Sequence, residues 1–452
     1  MKRRTSLYLM GSMVTGFTLA LKPHPYAAEP PTYTPVRSRF DVEKLEQLLD
    51  RKDVTGAIQL VEQGWKQQYE EYYRGELTLR LLSTETISQR LQTLFRQTGK
   101  RSALIYAIPA PNHLELIFLA PGETPVHRRV PAAHREVLLQ TVKALREGIV
   151  LSPRTASRYL TPGQQIYQWL ISPLESDLRA NRIDTLVFCL GSGLRTVPLA
   201  ALHDGNQFLI EKYNLGIIPA FNLVDHRPVS LRNAKVLAMG ASEFDDKPPL
   251  PSVPLELTAI ATNLWTGDVL LNQDFTPANL RSYRQKQLYR IVHLATHADF
   301  APGSISSSYI QFWDQRLSID LVQNLSLRFP EVQLLVLSAC QTAIGDLQAE
   351  LGFAGLAIMS GCRAALASLW QVSDVGTLLL MTEFYRQLKT ANKSEALRQA
   401  QIALLTQKAQ SQSTIATVSR ANSIPVDLET IQNADFSHPY FWAAFTVIGN
   451  AW

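Results

Sequence analysis

Apolar positions in DVEKLEQLLDRKDVTGAIQLVEQGWKQQYEEYY recur three and four residues apart, the spacing of one buried helical face, and predict two amphipathic helices. The pair resembles one unit of a helical-hairpin repeat, but no second copy follows within the usual period, so a solenoid is excluded. Near Ser102 the pattern changes. SALIYAIPAPNHLELIFLAPG holds two short apolar runs around a Pro-Asn turn, which predicts a β-hairpin. Helical patterns follow at 133–147 and 163–180. IDTLVFCLGSGLRTVPLAALHDG then reads as a buried strand entering a glycine turn, and KVLAMGASEF repeats that form. Further strands are predicted at RIVHLAT, VQLLVLSAC, AALASLW and FWAAFTVIG, with helical segments such as VGTLLLMTEFYRQL and SEALRQAQIALL between them. Short apolar runs alternating with helices imply parallel strands covered on both faces, an α/β layered sheet. The polar stretch at 407–425 reads as a surface insertion.

This divides the chain into a leader at 1–28, a Pro-rich linker and helical hairpin at 29–100, a β-hairpin and helix at 101–154, and a main domain at 155–452. With 452 residues and 46% hydrophobic content, the chain can bury a conventional core. The net charge of +5 changes little: Lys2, Arg3, Arg4 and Lys22 lie in the leader, and 5 − 4 leaves +1, so charge implies no nucleic-acid partner. The leader has a basic head, an apolar stretch from Leu7 to Leu21 and a Pro-rich tail with small residues. That is the layout of an export signal, cleaved after Ala20 or Ala28 or retained as an N-terminal anchor, and Arg3-Arg4 permits a twin-arginine reading. No other window approaches the roughly 20 apolar residues that a membrane span requires. Cys189, Cys340 and Cys362 show no C-x-x-C spacing, which argues against a disulfide framework and against a metal site.

Candidate chemistry lies at the strand ends. In an open parallel sheet, ligands and catalytic groups collect at the carboxyl ends of the strands. VQLLVLSAC ends at Cys340, and in RIVHLATHADF His297 falls just past the buried run. If the two strands are parallel neighbours, thiol and imidazole emerge on one edge although they stand 43 residues apart (340 − 297). A free thiol of pKa about 8.5 is mostly protonated at neutral pH, and a neighbouring histidine can take its proton. The backbone amides of Cys340 and Ala298 are candidate donors to an oxyanion. Asp299, Asp346 and Asp374 fall on loops at this rim, and Trp370 is placed to wall a substrate cleft. Asp374, before Val375-Gly376-Thr377, also fits a helix N-cap. Cys189 and Cys362 read as buried and inert. Gly191 and Gly193 lack the third glycine of a dinucleotide fingerprint.

The succession HLATHADF, LVLSACQTAIGD, ASLWQVSDVGT, FYRQL, EALRQAQ and HPYFWAAFTVIG resembles the CHAT domain, a caspase-like peptidase module often found beside tetratricopeptide repeats. LRTVPLAALHDGNQFLIEKYNLGIIPA and VLAMGASEF match that family's earlier elements, so the likeness extends over roughly 155–452. The resemblance implies a caspase-like fold, mostly parallel, with a degenerate first half beside a catalytic second half. It implies an endopeptidase acting through a thioester, with Cys340 as nucleophile, His297 as base, a protein or peptide substrate, and no metal or organic cofactor. His293, the first histidine of H-L-A-T-H, takes a packing and hydrogen-bonding role. The family usually has glycine after the catalytic histidine, where this chain has Ala298; alanine keeps the amide but disfavours positive φ. Ser338 stands where some related peptidases carry the aspartate that recognises a basic P1 residue, so specificity for Arg or Lys is not expected. The rival expectation is a non-catalytic scaffold that binds a protein partner through its N-terminal helices or the cleft.

Overall fold

The structure, a computed structural model, describes residues 41–77, 81–151, 158–303, 305–325, 327–343, 346–409, 411–422, 424 and 434–452. The export segment read at 1–28 and the linker at 29–36 lie outside the described residues. Val36–Trp452 forms one compact unit.

The apolar runs become strands because side chains alternating across a backbone buried on both sides leave no polar face to solvate. In chain order these are β1 (Ser102–Pro109), β2 (Leu114–Leu119), β3 (Val126–Val130), β4 (Thr185–Leu190), β5 (Asn214–Ile218), β6 (Val236–Gly240), β7 (Gly267–Leu271), β8 (Ile291–Phe300), β9 (Tyr309–Gln311), β10 (Arg316–Ser318), β11 (Leu334–Thr342), β12 (Ala364–Ser368) and β13 (Phe445–Gly449). They form one sheet in the order β10-β9-β8-β11-β12-β13-β5-β4-β1-β2-β3, with β6 pairing with both β8 and β7. The pairs β1–β4, β4–β5, β13–β5, β11–β12, β8–β11, β6–β8 and β6–β7 are parallel. The outer hairpins and the β12–β13 pair are antiparallel. The mostly parallel layered sheet expected from the sequence is therefore present.

Two local expectations differ. The hairpin near Ser102 continues into a third strand, β3, whose half-exposed VHRRV hides its strand character among charged residues. The polar 407–425 stretch contains the helix Ser411–Asn422, which buries Ile415 and Val418. Two apolar residues three apart are enough to give a polar helix an inward face.

The N-terminal pair forms helices α1 (Val42–Asp50) and α2 (Val54–Tyr73), whose first turns are capped by Asp41 and Asp53. They are fastened to the sheet. Glu62 on α2, 1% exposed, accepts hydrogen bonds from Tyr106 Oη at 2.7 Å, Phe221 N at 2.8 Å, Asn222 N at 2.9 Å and Asn222 Nδ2 at 2.7 Å. Among the described residues no helix is long and apolar enough to cross a membrane.

Candidate active site

β8 and β11 are hydrogen-bonded parallel neighbours, in register from Leu334 opposite Ile291 to Leu337 opposite Leu294. Both continue further than the sequence suggested, to Phe300 and Thr342, so His297 lies inside its strand and Cys340 two residues before the end of its own. The added antiparallel strand β9 pairs with Ala298 and Asp299, giving that backbone partners that keep it extended. Between Leu337 and Ala339 the ladder is interrupted by a bulge. Beyond it Ala339 lies opposite His297, Cys340 opposite Ala298, and Gln341 opposite Asp299. Residues opposite one another point to the same face and successive residues to opposite faces. His297 thus shares a face with Asp299, Ala339 and Gln341, while Cys340 leaves the other side with Ala298 and Thr342. Burial follows the same alternation: Gln341 is exposed, Ala339 half-buried and Cys340 0% exposed.

The histidine face opens into a cavity of about 80 Å³ lined by His297, Asp299, Ala339 and Gln341 with Lys247, Pro248, Tyr309 and Gln371. His297, 8% exposed, donates from Nε2 to the Pro248 carbonyl at 2.8 Å, and the Phe244 ring meets the imidazole edge-on at 4.7 Å. Since a carbonyl only accepts, Nε2 carries the proton and Nδ1 of the neutral ring keeps a free lone pair. Burial holds the imidazole pKa below its ordinary value; the Pro248 bond opposes this and Lys247 adds to it. The result is an uncharged, oriented base, the state general-base chemistry needs at neutral pH. The orienting group is a main-chain atom 49 residues upstream, and no side-chain pattern announces it. Ala298 lies in extended β8 and is not among the residues of positive φ, so alanine meets no left-handed strain here.

The cysteine face is closed. The Cys340 thiol lies 3.6 Å from the Leu337 carbonyl, and burial pushes its pKa up to about 12. Its amide, expected to hold an oxyanion, donates instead to Ser368 Oγ at 3.0 Å, and that hydroxyl donates to the Cys340 carbonyl at 2.9 Å. No hydrogen bond joins His297 to Cys340 among the described residues. The expectation that thiol and imidazole emerge on one edge holds for strand adjacency and direction; the bulge separates their faces.

Of the residues expected along the cleft, Asp299 lines the cavity. Ser338 is buried at the bulge. Trp370 is buried and donates from Nε1 to the Tyr440 carbonyl at 3.1 Å, apart from the cavity. Asp374 accepts from Ser252 N at 2.8 Å and does not cap its helix; the cap is Ser373, which accepts from Gly376 N. Asp346 caps the helix Leu347–Ala354 through Gln348 N and Ala349 N. His293 is fully buried between Glu256 at 2.9 Å and Tyr385 at 3.2 Å, a packing and hydrogen-bonding role. Lys247, Tyr309 and Gln371 were not legible as cleft residues, because each comes from a segment that only tertiary packing brings to this rim.

The mouse (Mus musculus) tetratricopeptide repeat protein 28 is 23% identical over 374 residues, covering 69% of this chain and 14% of that protein. A solved Saccharomyces cerevisiae separase–securin complex superposes with a TM-score of 0.50 at 10% identity, covering 88% of this chain and 34% of that one. The Arg-specific cysteine proteinase gingipain R superposes at 0.39 with 13% identity, covering 68% and 69%. The present chain spans about a third of the separase chain and a seventh of the tetratricopeptide protein. The pattern of the CHAT domain itself matches residues 160–450, and that span takes in β4 to β13 with both His297 and Cys340. With that match over more than half its length, carried on a mostly parallel α/β sheet, the chain belongs to the CHAT domain family.

Proposed function

We propose that the chain is a caspase-like cysteine endopeptidase whose nucleophile strand is in a resting register. One observation carries this reading. Leu337 and Leu294, the last pair before the bulge, are separated by 43 residues (337 − 294), the same separation as Cys340 and His297 (340 − 297). Continued without the bulge, that ladder would set Cys340 opposite His297 on a shared face, since a slip of one residue turns every side chain to the other side. In that register His297 Nδ1 takes the thiol proton, and the sulfur attacks the scissile carbonyl carbon. The oxyanion is held by the Ala298 amide and by the Cys340 amide, released from Ser368. The imidazolium returns its proton to the leaving amine, and water then hydrolyses the thioester. Asp299, Gln341 and Lys247 border the space where a peptide side chain would enter. The exported location read from residues 1–28 belongs to the same proposal.

A second reading, a non-catalytic scaffold, is favoured by the complete burial of the thiol. Treating the intact protein with a peptide bearing a thiol-directed electrophile separates the two. The peptidase reading expects modification of Cys340, at least about ten-fold slower in His297→Ala. Modification at the rate of an ordinary thiol, indifferent to His297, leaves the scaffold.

A further inference from the structure

Helix α3 (Thr84–Thr98) precedes β1, and helix α4 (Arg135–Val150) follows β3; α4 lies upstream of the segment that matches the CHAT domain. Arg146 on α4 is 2% exposed and reaches into the second half of the sheet. Its Nη2 donates to the carbonyl of Thr342 at 3.0 Å and to the carbonyl of Leu369 at 2.6 Å. Thr342 is two residues past Cys340, and Leu369 follows Ser368, whose hydroxyl holds both the amide and the carbonyl of Cys340. Leu369 O also accepts from Thr342 N at 3.2 Å. One guanidinium therefore ties the ends of β11 and β12 together next to the thiol.

We infer that Arg146 is a positioning residue that holds the carboxyl end of β11 in the register turning Cys340 away from the cleft. The inference rests on reading Cys340 as the nucleophile. Three observations support it. Sliding β11 by one residue moves the Thr342 carbonyl about 3.3 Å along the strand, enough to break a hydrogen bond of ordinary length. Arg146 Nε and Nη1 have no hydrogen-bond partner within the described residues, so this cation is buried at a desolvation cost that an apolar side chain of similar volume would avoid. Finally, the helix that follows the nucleophile is pinned from the same side. Glu350, buried and favourably placed for the Arg146 charge, accepts from Gly193 N at 2.8 Å. Gly193 has φ of +93°, and a side chain there would strike Leu139 on α4. The glycine turn that matches no dinucleotide fingerprint thus serves as a docking point for the segment after Cys340.

The test uses the full chain with Arg146→Met, Arg146→Lys and Arg146→Gln. Alkylation of Cys340 by iodoacetamide, located by peptide mapping, is followed against pH, with amide exchange of residues 340–342 read alongside and folding checked by thermal unfolding. Arg146→Met is expected to raise the alkylation rate at least about ten-fold, the worth of a charged hydrogen bond, and to move the pH profile toward that of an ordinary thiol. Arg146→Lys, which keeps a charged donor, is expected to return both toward the parent protein. If the Met variant does not fold, Arg146→Gln is compared with Lys and is expected to react faster. A folded Met variant with unchanged rate and pH profile overturns the inference, as does a Lys variant as reactive as Met, or, in the fallback, Gln no faster than Lys. Iodoacetamide does not need His297. Faster alkylation without His297-dependent peptide labelling would sink the peptidase reading and leave Arg146 only as a structural tie on β11, whereas His297-dependent labelling with an unchanged Arg146→Met profile would sink this inference alone.

Discussion

Replacing Glu62 with alanine is expected to lower the unfolding free energy by on the order of 4 kcal/mol. The carboxylate collects four donors from two separate segments: Tyr106 on β1, and the Phe221 and Asn222 amides together with the Asn222 side chain beyond β5. Alanine leaves those donors buried without an acceptor, each at a cost of about 1–3 kcal/mol, partly offset because no carboxylate then has to be desolvated. Burial pushes the Glu62 pKa upward and the four donors pull it down, with burial the larger influence. Glutamine, neutral and nearly isosteric, is therefore expected to cost about half as much as alanine. Urea unfolding at constant m-value checks both variants. A loss below about 1 kcal/mol for alanine would mean that α2 rests on the sheet through apolar contact alone, and the fastening role of Glu62 would be wrong.

The second large effect is a loss of stability in mild acid that depends on His226. The ring is 5% exposed, stacks on Phe221 with centroids 3.7 Å apart, donates from Nε2 to the Phe221 carbonyl at 2.7 Å, and meets Trp452 edge-on. Burial drives its pKa down to about 4; the Phe221 carbonyl and Asp225 oppose the shift and Arg90 adds to it. The unfolded chain protonates this imidazole near pH 6.5, whereas the folded chain resists until about pH 4. The stability that His226 contributes is therefore present in full above pH 6.5 and is lost as pH falls from 6.5 to about 4, with no further change below. Spread over that interval the loss is on the order of 3 kcal/mol. Many carboxylates titrate in the lower part of the window, so the informative quantity is the difference between the parent protein and His226→Phe in unfolding free energy at pH 7.5 and at pH 4.5. Parallel pH profiles for the two proteins would refute the assignment.

Within the candidate site, His297 and Cys340 were legible as candidates because each stands at the end of an apolar run, and apolar runs in an α/β chain become neighbouring strands. Their environments were not legible. The Pro248 carbonyl that orients His297, the Ser368 hydroxyl that occupies the Cys340 backbone and the Arg146 guanidinium at Thr342 come from segments 49, 28 and 196 residues away. All three contacts use a main-chain atom of the remote or local partner, which carries no residue-type signature. Asp374 shows the opposite error: its neighbours fit an N-cap, but Ser373 takes that place and leaves the carboxylate to bind Ser252 N.

The amino-acid order by itself determined the apolar strands β1, β2, β4, β6, β8, β11, β12 and β13, that the sheet is mostly parallel, and that His297 and Cys340 belong to one sheet. These follow from periodicity and burial, which are properties of the local chain. Only the tertiary structure decided which face each of the two side chains leaves, because strand side chains alternate with a period of two and a single bulged residue reverses them. That reversal is set by partners on β9, β12 and α4, whose contacts with β8 and β11 exist only once the chain has folded.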